Sequence, residues 1–153
     1  IYAARGKNFL NTILRLARER DELRVVDDQV GAPTWSRLVA EALAQIVALA
    51  RTTDPSVPGT YHVTAAGETS WHGFAQEAIR LATELAEFKA RARTVTPIAS
   101  SDYPLPARRP LNSRLSNARL KAALGVQLPD WKTGLRMCLE DAAQSRQLLG
   151  GGA

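Results

Sequence analysis

The sequence predicts an α/β fold of few strands and about five helices. Three observations predict it. β-prone segments alternate with segments of helical periodicity. Only three such β segments are found, too few for a complete doubly wound sheet, so they read as parts of a larger one joined to elements of a second lobe. The composition, 45% hydrophobic and 23% charged, is that of a packed chain, neither disordered nor fibrous.

The elements follow in order. Asn8 to Arg20 has Phe9, Ile13, Leu14, Leu16 and Ala17 at helical spacing and exits at Asp21-Glu22. Leu23 to Asp27 is short and β-prone. Gln29 to Thr34, punctuated by Gly31 and Pro33, is a loop. Ser36 suits an N-cap for a helix to about Ala50, whose Leu38, Val39, Ala42, Leu43, Ile46, Val47 and Leu49 form a wide buried face. A turn-rich stretch, Asp54 to Gly59, leads to a strand at Thr60–Thr64 ended by Ala66-Gly67. Ser70 caps a helix from Trp71 to about Leu85, with Phe74, Ala75, Ala78, Ile79 and Ala82 inward. Arg93 to Ile98 is a strand interrupted by Pro97. Ser100 to Asn112 is a proline-rich loop. Two short helices close the chain: Ser116 to Leu124, stopped by Gly125, and Asp130 to about Ala143. Residues 1–145 are expected to form one unit and 146–153 a flexible tail, because its glycines have nothing to pack.

Residues 1–7 lack the n-region, apolar core and cleavage site of a signal peptide. They do not start with Met and read as the end of a strand cut in the middle, so the chain is expected to be part of a longer protein. No apolar stretch is long enough to span a bilayer. The single cysteine, Cys138, excludes an internal disulfide and a cysteine-rich zinc site; it reads as a buried structural thiol, compatible with a reducing cytoplasm. Net charge is +5, from 20 Lys and Arg against 15 Asp and Glu. The arginines are dispersed except at Arg108-Arg109. That pattern suits a solvated surface with one local anion site better than a nucleic-acid face, which would add a basic run and stacking aromatics.

Several chemistries are missing. No glycine-rich turn of the dinucleotide type stands between a strand and a helix. No Tyr is followed four residues on by Lys: Tyr2, Tyr61 and Tyr103 are followed by Gly6, Ala65 and Ala107. No metalloprotease or nucleophile-elbow motif occurs. His62 and His72 read as structural.

Three segments are more particular. In Arg5-Gly6-Lys7-Asn8-Phe9, Asn8 either caps the following helix or projects its amide toward a ligand at the helix N-terminus. In Asp28-Gln29-Val30-Gly31-Ala32-Pro33-Thr34-Trp35, small residues let a ligand approach the backbone, and Gln29 and Thr34 offer hydrogen bonds; an ordinary strand-to-helix loop would look the same. In Tyr103 to Leu115, prolines hold Arg108 and Arg109 in fixed directions ahead of Asn112, an arrangement suited to a diphosphate.

Taken in order, R-G-K-N-F, V-V-D-D-Q-V-G-A-P-T, G-T-Y-H-V-T-A-A-G-E-T-S-W-H-G-F-A, A-R-R-P-L-N-S-R-L and L-P-D-W-K-T-G-L resemble the dTDP-4-dehydrorhamnose reductases, extended short-chain dehydrogenase/reductases. The resemblance runs from about Tyr2 to about Leu139. It implies the C-terminal, substrate-binding lobe of an extended Rossmann-type reductase. It further implies a cytoplasmic bacterial parent that uses NADPH to reduce the C4 ketone of a dTDP-4-dehydro-6-deoxy sugar, giving dTDP-L-rhamnose for polysaccharide synthesis. The glycine loop and the catalytic Tyr and Lys of the family lie in the N-terminal half and have no counterpart here, so this chain alone is expected to be inactive. Substrate contacts are expected from Asn8, Phe9, Gln29, Gly31, Ala32, Pro33, Thr34, Arg108, Arg109 and Asn112. Some members bind Mg²⁺ at a dimer contact through glutamates, which do not map onto this sequence. The helix from Ser36 and the strand from Thr60 are expected to present apolar faces to the nucleotide-binding sheet or to a second copy. Another nucleotide-sugar reductase or epimerase, or a non-catalytic homologue, would share much of this pattern.

Overall fold

In the computed structural model, the described residues are 1–52, 58–85, 88–103, 106–107 and 109–144. The tail beyond Gln144, most of the turn after α2 and Arg108 lie outside them.

The elements run α1 (Phe9–Glu19), β1 (Glu22–Val26), β2 (Val30–Gly31), α2 (Ser36–Thr52), β3 (Thr69–Ser70), α3 (Trp71–Leu85), β4 (Thr94–Ile98), a 3-10 turn (Ser100–Asp102), α4 (Ala118–Leu124) and α5 (Trp131–Gln144). β1 and β4 pair in parallel, with Leu23 opposite Val95 and Val25 opposite Pro97. β2 and β3 form a two-residue antiparallel pair, Val30 opposite Ser70 and Gly31 opposite Thr69.

α3 is the hub. It packs against α1 and α5 and against the β1–β4 pair. Its Phe74, Ala75, Ala78, Leu81 and Ala82 are buried, a face with helical period. Phe74 meets Tyr2, Phe9 and Trp131 at ring-centroid distances of 5.1, 5.9 and 6.1 Å. From α1 come Leu10, Ile13, Leu14 and Ala17, and from α5 Leu135, Cys138, Leu139 and Ala142. Burying each large apolar side chain contributes about 1.5–3 kcal/mol. Burial also pushes the Cys138 thiol up to about 12 and raises the Tyr2 phenol well above its usual range.

Local chemistry sets the helix ends. Asn8 caps α1 through Oδ1, which accepts the Asn11 N–H at 3.2 Å. Ser70 caps α3, its Oγ accepting the Gly73 N–H at 3.0 Å. Asp130 accepts the Lys132 N–H at 2.9 Å ahead of α5. α4 stops at Gly125, whose φ of +67° closes the last turn.

Three expectations are corrected. Thr60–Thr64 forms no strand: both backbone groups of Thr64 are taken by the Asn117 side chain, at 3.2 Å for Thr64 N and 2.6 Å for Thr64 O, leaving nothing for a ladder there. Ser36 is the first residue of α2, not the cap before it, because the helical bonding already begins at the Trp35 carbonyl, which accepts the Val39 N–H at 3.3 Å. On α2, Leu43 and Val47 do not join the buried face within this chain but are 50% and 60% exposed, the partial exposure expected of an apolar face presented to a nucleotide-binding sheet or a second copy. The β2–β3 pair was not foreseen, because two residues leave no periodicity to read. Pro97, by contrast, sits in β4 without cost: among the described residues β4 pairs with β1 alone, and the missing N–H can face outward.

Candidate functional site

The end of β1 leads into Asp27, Asp28 and the loop Gln29–Thr34. This loop is clamped from two sides. Val30 pairs with Ser70 of β3 and also bonds the segment after the proline-rich loop: its N–H donates to Leu111 O at 2.8 Å, and Ser113 N–H donates to Val30 O at 2.9 Å. At the far end, Thr34 is 2% exposed and ties the loop inward. Its hydroxyl donates to Ala32 O at 2.9 Å and accepts the Ala65 N–H at 2.9 Å. Its carbonyl accepts the Tyr2 N–H at 3.0 Å.

These clamps shape an open cleft of about 350 Å³. One side is formed by Gln29 and Gly31 to Thr34, joined through the β2–β3 pair to Thr69, Ser70 and Trp71; Val63, Thr64, Ser113, Leu115 and Ile1 complete the lining. Among the described residues no charged side chain lines it. Its polar groups are an amide and hydroxyls, set between apolar faces. Such a surface suits a neutral ring bearing hydrogen-bonding groups, a sugar or a nucleobase, and not a phosphate. Trp71 is 41% exposed at the rim and rests on Phe9, ring centroids 4.6 Å apart. Charge lies just outside: Arg114 bonds Glu68 at 2.8 Å and Asn112 Oδ1 at 2.9 Å.

Two carboxylates brace the cleft from behind. Asp27 accepts the Ser70 hydroxyl at 2.5 Å and lies 3.5 Å from His72 Nδ1. Asp28 accepts both the hydroxyl and the N–H of Ser100, at 2.5 and 2.9 Å, and these bonds hold its carboxyl below the usual range. His72 Nε2 lies 2.9 Å from Val95 O, so this ring links α3 to β4. His62 is exposed.

The expected contact residues divide. Gln29, Gly31, Ala32, Pro33 and Thr34 come together in the cleft. Phe9 stands behind Trp71 without lining the cleft. Asn8 does not reach it: with Oδ1 on Asn11, its Nδ2 donates to Ala3 O at 2.9 Å and Arg5 O at 3.2 Å, so the helix cap is its observed role. Asn112 faces Arg114, and its neighbour Ser113 takes the lining position. Arg109 is exposed and outside the lining, and Arg108 lies outside the described residues. Sequence reasoning missed Thr69, Ser70, Trp71, Ser113 and Leu115. One signal was present: Trp71 is an aromatic at a helix start, off the apolar face of its own helix. Among the described residues no three His, Cys, Asp or Glu side chains gather as a metal site would require. No helix there is long and apolar enough to cross a membrane.

A family model described as the RmlD substrate binding domain matches residues 1–144. The chain is 47% identical to a dTDP-4-dehydrorhamnose reductase of Burkholderia thailandensis, over 92% of this chain and 49% of that one. It is 40% identical to the enzyme of that name from Escherichia coli K12, over 92% and 46%. Among solved structures, it is similar to the dTDP-4-dehydrorhamnose reductase of Bacillus anthracis in complex with NADP, with a TM-score of 0.78 at 28% identity, covering 92% of this chain and 45% of that one. The Clostridium acetobutylicum reductase gives a TM-score of 0.77 at 33% identity, covering 91% and 45%. The chain thus spans about half the length of the curated relatives it matches.

Proposed function

The chain belongs to the RmlD substrate-binding-domain family, and on that premise we propose that it is the substrate-holding half of a dTDP-4-dehydrorhamnose reductase. The substrate is a dTDP-4-dehydro-6-deoxy sugar, whose C4 ketone the whole enzyme reduces at the expense of NADPH. The observation that carries this reading is that Gln29 and Gly31 to Thr34 line one cleft together with Ser70 and Trp71, with no charged side chain among its described lining residues.

The cleft takes the base or sugar, and the diphosphate lies toward Arg109, which is exposed outside it, with Asn112 in the same segment; Arg108, its neighbour in sequence, is the second arginine we assign to the diphosphate. Proline-held guanidinium groups would pair bidentately with phosphate oxygens. This chain contributes position: holding a ketone in reacting geometry lowers a barrier by as much as about 7–11 kcal/mol.

The described residues do not fit the NADPH pyrophosphate. That group needs an open, glycine-rich strand-to-helix turn. Here the corresponding passage is filled from within, since a Cβ on Gly31 would already lie 2.6 Å from Ser113 Oγ. The cofactor, and the groups that deliver hydride and proton, belong to the other half of such a reductase. The exposed Leu43 and Val47 of α2 are assigned to contact with that half, a homodimer being the alternative cover. A cytoplasmic setting follows from the proposed substrate.

Calorimetry tests the reading. The chain should bind dTDP-rhamnose and show no NADPH oxidation with the dehydro sugar. Reduction by the pure chain would overturn the division of labour. Equal binding of UDP- and GDP-sugars would favour another nucleotide-sugar enzyme.

A further inference from the structure

Gln29 lines the cleft, and an amide side chain can offer either a donor or an acceptor, depending on which end turns inward. Its surroundings decide between them. Asp28 binds Ser100 twice: one carboxylate oxygen accepts the Ser100 N–H at 2.9 Å, and the other accepts the Ser100 hydroxyl at 2.5 Å. The single proton of that hydroxyl is therefore committed to Asp28. Ser100 Oγ can then only accept from Gln29, which it meets at 2.8 Å, and the partner atom must be the amide nitrogen. The carbonyl oxygen of Gln29 is turned away from Ser100.

We propose that Asp28 and Ser100 are positioning residues that fix the Gln29 amide with its carbonyl oxygen toward the cleft, so that Gln29 accepts a hydrogen bond from a ligand N–H or O–H. This rests on the reading of the cleft as a nucleotide-sugar site. The donor is either the imide N–H of a pyrimidine base or a sugar hydroxyl. A site built on a fixed acceptor rejects a ligand that lacks the donor or places another acceptor there.

The relay can be inverted by one atom. In Asp28→Asn, the Ser100 N–H keeps the oxygen of the substituted amide, so the new NH₂ faces Ser100 Oγ. Ser100 then accepts from that NH₂, and its freed proton is donated to Gln29. The Gln29 amide turns over and shows its own NH₂ to the cleft.

The experiment is NMR on the full 153-residue chain, first without ligand. In the native chain the Gln29 side-chain NH₂ protons should show cross-peaks to the Ser100 β-protons. In Asp28→Asn those cross-peaks should vanish while the backbone spectrum elsewhere is unchanged. Their persistence, or their absence from the native chain, overturns the proposal. The second arm measures affinity for dTDP, N3-methyl-dTDP and dTDP-rhamnose in the native chain and in Ser100→Ala. If the base is the donor, N3-methylation weakens native binding about tenfold and Ser100→Ala shrinks that ratio. If a sugar hydroxyl is the donor, methylation is silent and Ser100→Ala reduces the advantage of dTDP-rhamnose over dTDP. Ratios unmoved by Ser100→Ala, with binding retained, overturn the proposal. If no probe binds, the reading of the cleft fails, and the ligand-free spectrum still decides the amide orientation.

Discussion

Thr34 and Ala65, 31 residues apart in sequence, are joined by a buried hydrogen bond of 2.9 Å from the Ala65 N–H to the Thr34 hydroxyl. Because Thr34 passes its own proton to Ala32 O, one side chain holds the cleft loop both to itself and to the strip carrying Val63 and Thr64. Thr34→Val keeps the shape and strands the Ala65 N–H. The expected loss is about 1–3 kcal/mol of stability, read by denaturant melts, and Thr34→Ser should recover most of it.

Gly31 is required by a neighbour. A Cβ there would fall 2.6 Å from Ser113 Oγ, which donates to Val30 O at 3.1 Å. Gly31→Ala should push Ser113 off the cleft wall and weaken dTDP-rhamnose binding by about tenfold, which corresponds to about 1.4 kcal/mol. Adding Ser113→Gly removes the clash, and calorimetry should then show much of the affinity restored.

The core prediction concerns Phe74, which is 1% exposed and touches three other aromatic rings. Phe74→Ala should cost about 3–5 kcal/mol, seen as a lower unfolding midpoint. Phe74→Leu should cost less, because it leaves a smaller cavity.

Alkaline pH should destabilise the chain. Cys138 is raised from 9.0 to about 12 by burial, and Tyr2 is raised as well. A raised folded value means that the unfolded chain ionises first. The stability tied to the neutral groups is whole below about pH 9, the unperturbed thiol value, and is lost progressively as pH climbs toward 12. Melting temperature against pH should fall over this window, and Cys138 should resist alkylation near neutral pH. A flat profile from about pH 8 to about pH 11 would contradict it.

The helices were legible from a 3.6-residue apolar period with local end signals at several of them: Asn8, Ser70 and Asp130 cap α1, α3 and α5, and Gly125 stops α4, whereas the start of α2 was misplaced by one residue. The loop side of the cleft was legible because its small residues stand in one continuous loop. The rest of the lining was not. Ser70 and Trp71 reach the cleft only through the two-residue β2–β3 pair, and Ser113 only through bonds to Val30, long-range contacts with no local pattern. Thr60–Thr64 misled for the same reason: its composition is that of a strand, but a side chain, Asn117, takes the place of a neighbouring strand at Thr64. Asn8 resolved in favour of its local role because both ends of its amide are engaged, Oδ1 capping α1 and Nδ2 donating to Ala3 O.

The most direct test of the central claim is an amide NMR titration of the chain with dTDP-rhamnose. The account predicts saturable shifts confined to Gln29–Thr34, Thr69–Trp71 and Arg109–Ser113, with α4 and the outer face of α2 silent. A well-dispersed spectrum that ignores the ligand, or shifts centred away from these segments, would contradict it.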